Sequence, residues 1–337
     1  KIMAHPPTVL ITQEWFRKQA GPHVDILKAA GFAIAYPRNP LIARGNLSDQ
    51  ETIDELSGAQ AILASSVRFS DKILSQLPDL RVIARTGVGY DRVDIASATR
   101  NKIAVTITPA ANHAAVAEHT LALILAVTKR IVQIDQRVRA GEWPTQANLP
   151  LRGRTLGIFG LGRTGRSVAI RANAFGLNII AAEKYPDIDF VSDNNIELVD
   201  LDTLLKRSDI LTIHSPLTDE TRRLFDHSVL MRMKKGSILI NTARGPLVDQ
   251  DHLFEAIQSG HLDGAGLDVF EPEPISKEHP LLGLDNVVVS SHRAGIDTLA
   301  VKESGIAAAQ SIVDLRQGIW PEEGVVVNSD LRASWLW

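Results

Sequence analysis

At 337 residues the chain is long for a single compact core and suits two domains. A formal net charge of −3 gives no reason to expect a nucleic-acid or acidic-membrane partner, and the lack of any cysteine excludes disulfides, zinc–thiolate sites and a thiol nucleophile. No apolar run approaches the roughly 20 residues of a membrane span and no signal-peptide pattern opens the chain, so a soluble, cytoplasmic protein is expected, with room before Lys1 for a short missing leader.

Five short apolar runs come first, Thr8–Thr12, Phe32–Tyr36, Ala61–Ala64, Arg81–Ala84 and Ile103–Ile107. Apolar residues at consecutive positions, with spacing wide enough for crossover helices, predict a parallel sheet covered on both faces, hence a small doubly wound α/β unit. Two loops, Ser65–Arg68 after the third run and Arg85–Asp91 after the fourth, fall at carboxyl ends of strands, where open α/β sheets bind ligands. Gly87 and Gly89 either offer backbone N–H groups to a small carboxylate or only make the turn. The segment 112–139 is compatible with one long helix, too apolar all round for a surface position. It is expected to lie between domains or against a second subunit, with His119 a packed structural residue within it.

After Trp143-Pro144 the chain reaches the apolar run Thr155–Phe159, then Gly160-Leu161-Gly162-Arg163-Thr164-Gly165, then a stretch of helical spacing that stops at Gly176. A glycine-rich turn joining a strand to a helix lets backbone N–H groups and the positive helix end face a pyrophosphate. Glu183 closes the next strand near the spacing at which an acid bonds a ribose diol. Alone, such a turn can serve tight packing; in this setting it is read as dinucleotide binding. A carboxylate there repels the extra phosphate of NADP by about 1 kcal/mol per charge pair in water and about 4 at a partly shielded surface, which favours NAD.

Further strands are expected at 178–182, 210–213, 237–240, 264–269 and 286–290. Their carboxyl ends carry Glu183, His214, Asn241–Arg244, Phe270–Glu273 and Ser291-His292, all along one edge of a parallel sheet. With hydride supplied by a nicotinamide, the protein must orient a carbonyl or alcohol, handle one proton and stabilise charge on oxygen. Arg244 suits a carboxylate or a keto oxygen, unless it caps a helix or pairs with Asp249. A histidine can carry the proton, and spacing leaves both His214 and His292 open. Glu271 and Glu273 are equal candidates for the carboxylate that orients it. The histidines show no metal-ligand spacing, and no metal is assigned.

These motifs resemble the D-isomer-specific 2-hydroxyacid dehydrogenases over roughly residues 65–295: Arg-Thr-Gly-Val-Gly-Tyr-Asp-Arg-Val-Asp (85–94), Gly-Leu-Gly-Arg-Thr-Gly (160–165), His-Ser-Pro-Leu-Thr (214–218), Asn-Thr-Ala-Arg-Gly (241–245), Gly-Leu-Asp-Val-Phe with Glu-Pro-Glu-Pro (266–274), and Ser-His-Arg-Ala-Gly (291–295). The resemblance implies that Arg244 binds substrate, His292 is the acid–base and Glu273 its partner. By the same correspondence Arg163, Thr164, Glu183, His214, Ser215, Pro216, Thr242, Ala243, Asp268 and Ala294 join Gly160, Gly162 and Gly165 on the cofactor. Val67, Arg68, Val88 and Gly89 join Arg244 and His292 on the substrate. It further implies a Rossmann NAD-binding domain (112–297) inserted into a smaller flavodoxin-like substrate domain (1–111 and 298–337), closure of one domain on the other, and a homodimer. Thr164 and Ser291 depart from the commoner isoleucine and proline, and an end at Trp337 leaves no room for an appended regulatory domain. The expected reaction interconverts a small 2-keto acid and its D-2-hydroxy acid. Arg68, Arg85 and Arg92 place 3-phosphoglycerate slightly ahead of hydroxypyruvate or glyoxylate. The alternatives are a non-catalytic NAD(H)-sensing co-regulator and a dehydrogenase of a non-carboxylate such as phosphite.

Overall fold

The computed structural model describes residues 6–64 and 66–337, so Ser65, the first residue of one expected substrate loop, and Lys1 lie outside the described residues. The chain divides into two compact units, residues up to 112 together with 297–337, and residues 113–296. In the first unit the order is β1 (Thr8–Ile11), α1 (Pro22–Ala29), β2 (Ala33–Ala35), α2 (Asp49–Leu56), β3 (Ala61–Ala64), α3 (Asp71–Leu74), β4 (Val82–Arg85), α4 (Ile95–Arg100) and β5 (Ala104–Thr106). All pairings are parallel in the order β2-β1-β3-β4-β5, the flavodoxin-like arrangement. Alternation along β3 shows why the run is apolar throughout: Ala61 and Leu63 enter the core on one face, Ile62 and Ala64 that on the other.

The second unit contains α5 (His113–Thr128), α6 (Ile131–Arg139), β6 (Thr155–Phe159), α7 (Arg163–Asn173), β7 (Asn178–Ala182), α8 (Ile188–Asp193), β8 (Glu197–Leu198), α9 (Leu201–Arg207), β9 (Ile210–Ile213), α10 (His227–Leu230), β10 (Ile238–Asn241), α11 (Gln250–Gln258), β11 (Gly264–Leu267) and β12 (Val287–Val289). Its seven strands are parallel in the order β12-β11-β10-β9-β6-β7-β8, a Rossmann arrangement whose order reverses between β6 and β9. Crevices at such switch points take ligands. The chain then re-enters the first unit, where α12 (Thr298–Arg316) packs on α1, β3 and β4.

The single helix expected over 112–139 is two. Arg130 takes φ 51°, a left-handed conformation that breaks the run between α5 and α6. The physical reason lies in β11. Its glycines leave the sheet flat enough for α5 to approach: Leu123 lies over Gly266 and Val127 over Gly264, the first residue of the strand. Beyond Val127 the helix has reached the amino end of β11, and Lys129 turns its Nζ to the Leu149 carbonyl at 2.6 Å. The apolar surplus of α5 is therefore absorbed by its own unit, where Leu121, Leu123, Ile124 and Val127 are buried, each burial worth about 1.5–3 kcal/mol.

Candidate active site

The glycine turn stands at the switch point. Gly160 has φ 97°, and a side chain there would meet the backbone of His214 and Ser215 at 2.7–2.9 Å. Gly165 must also be glycine, because a Cβ would strike the Gly160 carbonyl. Packing thus explains two of the three. It does not explain Gly162, the residue before α7, whose absent Cβ would face open space at the amino end of an 11-residue helix. A position where nothing crowds the backbone, yet no side chain stands, fits the close approach of a phosphate. Arg163 and Thr164 open that helix. Glu183 lies against the turn, its Oε2 accepting from Leu161 N at 2.6 Å and its Oε1 from Tyr185 N at 2.9 Å. The residues present therefore fit a dinucleotide.

Further along the same edge the backbone continues the sheet past its strands: Asp268 N donates to Asn241 O at 3.0 Å and His292 N to Asp268 O at 2.7 Å. Loops after β10, β11 and β12 are thus held side by side, at spacings of about 5 Å. Asn241, buried at the end of β10, bonds both Ala243 N and Arg244 O and so shapes the turn that presents Arg244. Gly245 lets this turn lie directly on the Phe270 backbone. Phe270 N donates to Glu273 Oε1 at 3.1 Å, and Glu273 Oε2 is 2.9 Å from His292 Nδ1. A carboxylate only accepts, so Nδ1 carries the proton of that bond and Nε2 is the atom left for a substrate. Both nitrogens' roles follow from Glu273.

The alternatives left by spacing part here. Glu271 faces Arg222 and Arg223 rather than a histidine. Asp249 caps α11 and lies 3.8 Å from Arg223. His214 bonds Thr212 Oγ1 at 2.9 Å, and burial pushes its pKa down to about 3, so it stays neutral, whereas His292 is exposed and bonded to Glu273. Thr242 and Ser215 are buried beside the turn, Thr242 bonded to Thr120 and Ser215 to the Pro216 carbonyl.

Asp268, expected on the cofactor, has a fully buried carboxylate that accepts from Ser290 Oγ, Arg293 N and Ala294 N, and so anchors the turn that bears His292. Ala294 is buried with it. Sequence reasoning also passed over Asn241 and Ser290. An asparagine ending an apolar strand before a turn was a usable signal for the first; nothing local marks the second.

In the first unit the two expected substrate loops are stitched together, Phe69 N to Arg92 O and Asp94 N to Phe69 O, each at 2.8 Å. Arg68 and Val88 are exposed and Gly89 half-buried. The Val67 side chain is core, 1 % exposed. Arg92 is also committed, donating to the Ser66 carbonyl.

A sheet edge equipped in this way belongs to a dehydrogenase that works with a nicotinamide dinucleotide. Residues 121–294 match the family model described as D-isomer specific 2-hydroxyacid dehydrogenase, NAD binding domain. The chain is 40 % identical over 293 residues to the glyoxylate reductase of Thermofilum pendens, covering 84 % of this chain and 86 % of that one. It is 38 % identical over 276 residues to the D-3-phosphoglycerate dehydrogenase of Archaeoglobus fulgidus, covering 81 % of this chain and 52 % of that one. A solved D-lactate dehydrogenase from Aquifex aeolicus, complexed with NAD and lactic acid, superposes with a TM-score of 0.81 at 28 % identity, covering 95 % of this chain and 99 % of that one. The chain belongs to the D-isomer-specific 2-hydroxyacid dehydrogenases. It is an NAD-dependent oxidoreductase that interconverts a 2-keto acid and its D-2-hydroxy acid.

Proposed function

We propose that the enzyme reduces a small, unphosphorylated 2-keto acid such as glyoxylate or hydroxypyruvate. Bound NADH supplies the hydride. Arg244 holds the substrate carboxylate and keto oxygen through its planar pair of donors, and His292 gives the proton from Nε2. Glu273 keeps the imidazole turned the right way, and the 2.9 Å contact between them is the observation that carries this reading. Arg68, Val88, Gly89 and the backbone of Val67 are assigned to the substrate, and the residues around the glycine turn to NAD.

The preference against a phosphorylated acid comes from the first unit. Of the three arginines that favoured 3-phosphoglycerate, Arg92 is engaged with Ser66 and the Arg85 Nε and Nη1 are buried. Only Arg68 stands exposed among them, and its exposure keeps 3-phosphoglycerate as the second reading. The test follows NADH oxidation across glyoxylate, hydroxypyruvate and phosphohydroxypyruvate. The highest kcat/KM on the phosphorylated acid would reverse the order. His292→Ala and Arg244→Ala are expected to lower kcat/KM at least ~10²-fold, and near-normal kinetics in either would overturn its role.

We also assign a homodimer to the face of α6, none of whose residues is buried and which exposes Ile131, Val132 and Val138. Light scattering that gives a monomer mass would refute it. Among the described residues no helix is long and apolar enough to cross a membrane, and the absence of cysteine supports a cytoplasmic setting.

A further inference from the structure

His119, on α5, reaches the turn that carries His292. Its Nε2 lies 2.8 Å from Ser290 Oγ, and Ser290 Oγ donates to Asp268 Oδ1 at 2.5 Å. Asp268 is fully buried, and its oxygens also accept from Arg293 N and Ala294 N at 2.8 Å each. A serine hydroxyl has one proton to give. Because Ser290 gives it to the carboxylate, the remaining contact is one in which His119 Nε2–H donates and Ser290 Oγ accepts. Two neighbours therefore fix the tautomer of His119, and the donor chain runs from His119 through Ser290 to Asp268. His292 sits inside the turn that this carboxylate closes, between Ser290 on one side and Arg293 on the other. It has φ 54°, a left-handed conformation that a non-glycine residue rarely adopts and that persists only where its surroundings enforce it.

We propose that His119 is a positioning residue for hydride transfer: by donating to Ser290 it orients that hydroxyl on Asp268 and so holds the left-handed turn that aims His292. The proposal rests on the acid–base role given to His292. An apolar side chain at 119 leaves the Ser290 oxygen without its donor and frees the hydroxyl to rotate off Asp268. The turn then loses one of three restraints, and a displacement of about 1 Å at a reacting group can lower the rate on the order of 10²-fold.

The test measures kcat and KM for NADH, with a thermal melt, in the full enzyme carrying His119→Leu, His119→Gln, Ser290→Ala and the His119→Leu/Ser290→Ala pair. His119→Leu is expected to lower kcat about 10–100-fold while KM for NADH stays within about twofold. Glutamine, whose amide can donate to Ser290, is expected to restore most of that loss, and the double variant to be no slower than the slower single. A wild-type kcat in His119→Leu, or equal losses in the leucine and glutamine variants, would overturn the proposal, the latter reducing His119 to packing. Should the leucine variant fail to fold, Ser290→Ala decides: kcat must fall with KM for NADH unchanged. His292→Ala run alongside separates the two readings. Activity that survives it refutes the role of His292, whereas activity lost there but intact in the His119 variants refutes only the role of His119.

Discussion

Two glycines of one turn are expected to fail in opposite ways when each is replaced by alanine. At Gly160 the new methyl would sit 2.7 Å from Ser215 N, 2.8 Å from His214 C and 2.9 Å from Ser215 Cα, on a backbone at φ 97°. The left-handed conformation costs an L-residue about 1–2 kcal/mol. The overlap adds about 1–3 kcal/mol, because the obstructing atoms are backbone and cannot rotate aside. They also belong to the continuation of β9, whose His214 N is bonded to Phe159 O at 2.8 Å, so relief means parting two adjacent strands. A total of about 2–5 kcal/mol corresponds to a drop in Tm of about 4–20 °C for a unit of this size. At Gly162 the methyl meets open space and only the helix cap is altered, a loss of within about 1 kcal/mol. There the damage should fall on the cofactor, since the methyl occupies the approach to the helix end. The assay pairs calorimetric melting with NADH fluorescence titration: Gly160→Ala loses stability, and Gly162→Ala keeps its Tm but binds NADH at least about tenfold more weakly. Unchanged NADH affinity in Gly162→Ala would refute the phosphate-cradle reading, and an unchanged Tm in Gly160→Ala would refute the steric one.

Three further outcomes follow from the site. Burial holds the folded pKa of His214 at about 3, below the roughly 6.5 of an unfolded chain, so the unfolded state alone takes up a proton as pH falls below 6.5. That stability is fully present above pH 6.5 and is lost toward pH 3, with about 3 kcal/mol gone by pH 4.5; melting curves of His214→Gln should show a flatter acid slope, and an identical slope would contradict the assignment. Glu273→Gln should lower kcat by about 10–10²-fold, whereas Glu271→Gln, which disturbs only Arg222 and Arg223, should leave kcat unchanged; the reverse order in steady-state kinetics would exchange their roles. If Glu183 faces the cofactor ribose as proposed, Glu183→Ser should raise kcat/KM with NADPH relative to NADH by about one order of magnitude or more, and no change in that ratio at equal concentrations would show that discrimination lies elsewhere.

What could be read from the sequence was whatever a single strand and its end determine. Runs such as Ala61–Ala64 are apolar at every position because both sheet faces are covered, and the expected strands accordingly fall within two residues of the observed ones at each end. The edge strand β8 escaped because Glu197 and Leu198 are exposed and make no apolar run. The break at Arg130 escaped because helical periodicity continues through it; the cause is where α5 runs out of β11, a tertiary fact. The same division runs through the site. That arginine, glutamate and histidine side chains gather on one edge follows from parallel topology, which collects every strand's carboxyl end. Which glutamate meets which base does not, since Glu271 and Glu273 differ only in lying toward Arg222 and Arg223 or toward His292. Asp268 shows the limit most sharply: its place after β11 is legible, but not that its oxygens accept from a turn contributed after β12. Residues that touch the chemistry can be found by where strands end, whereas residues that hold them in register become visible only when the hydrogen bonds of each buried polar atom are counted.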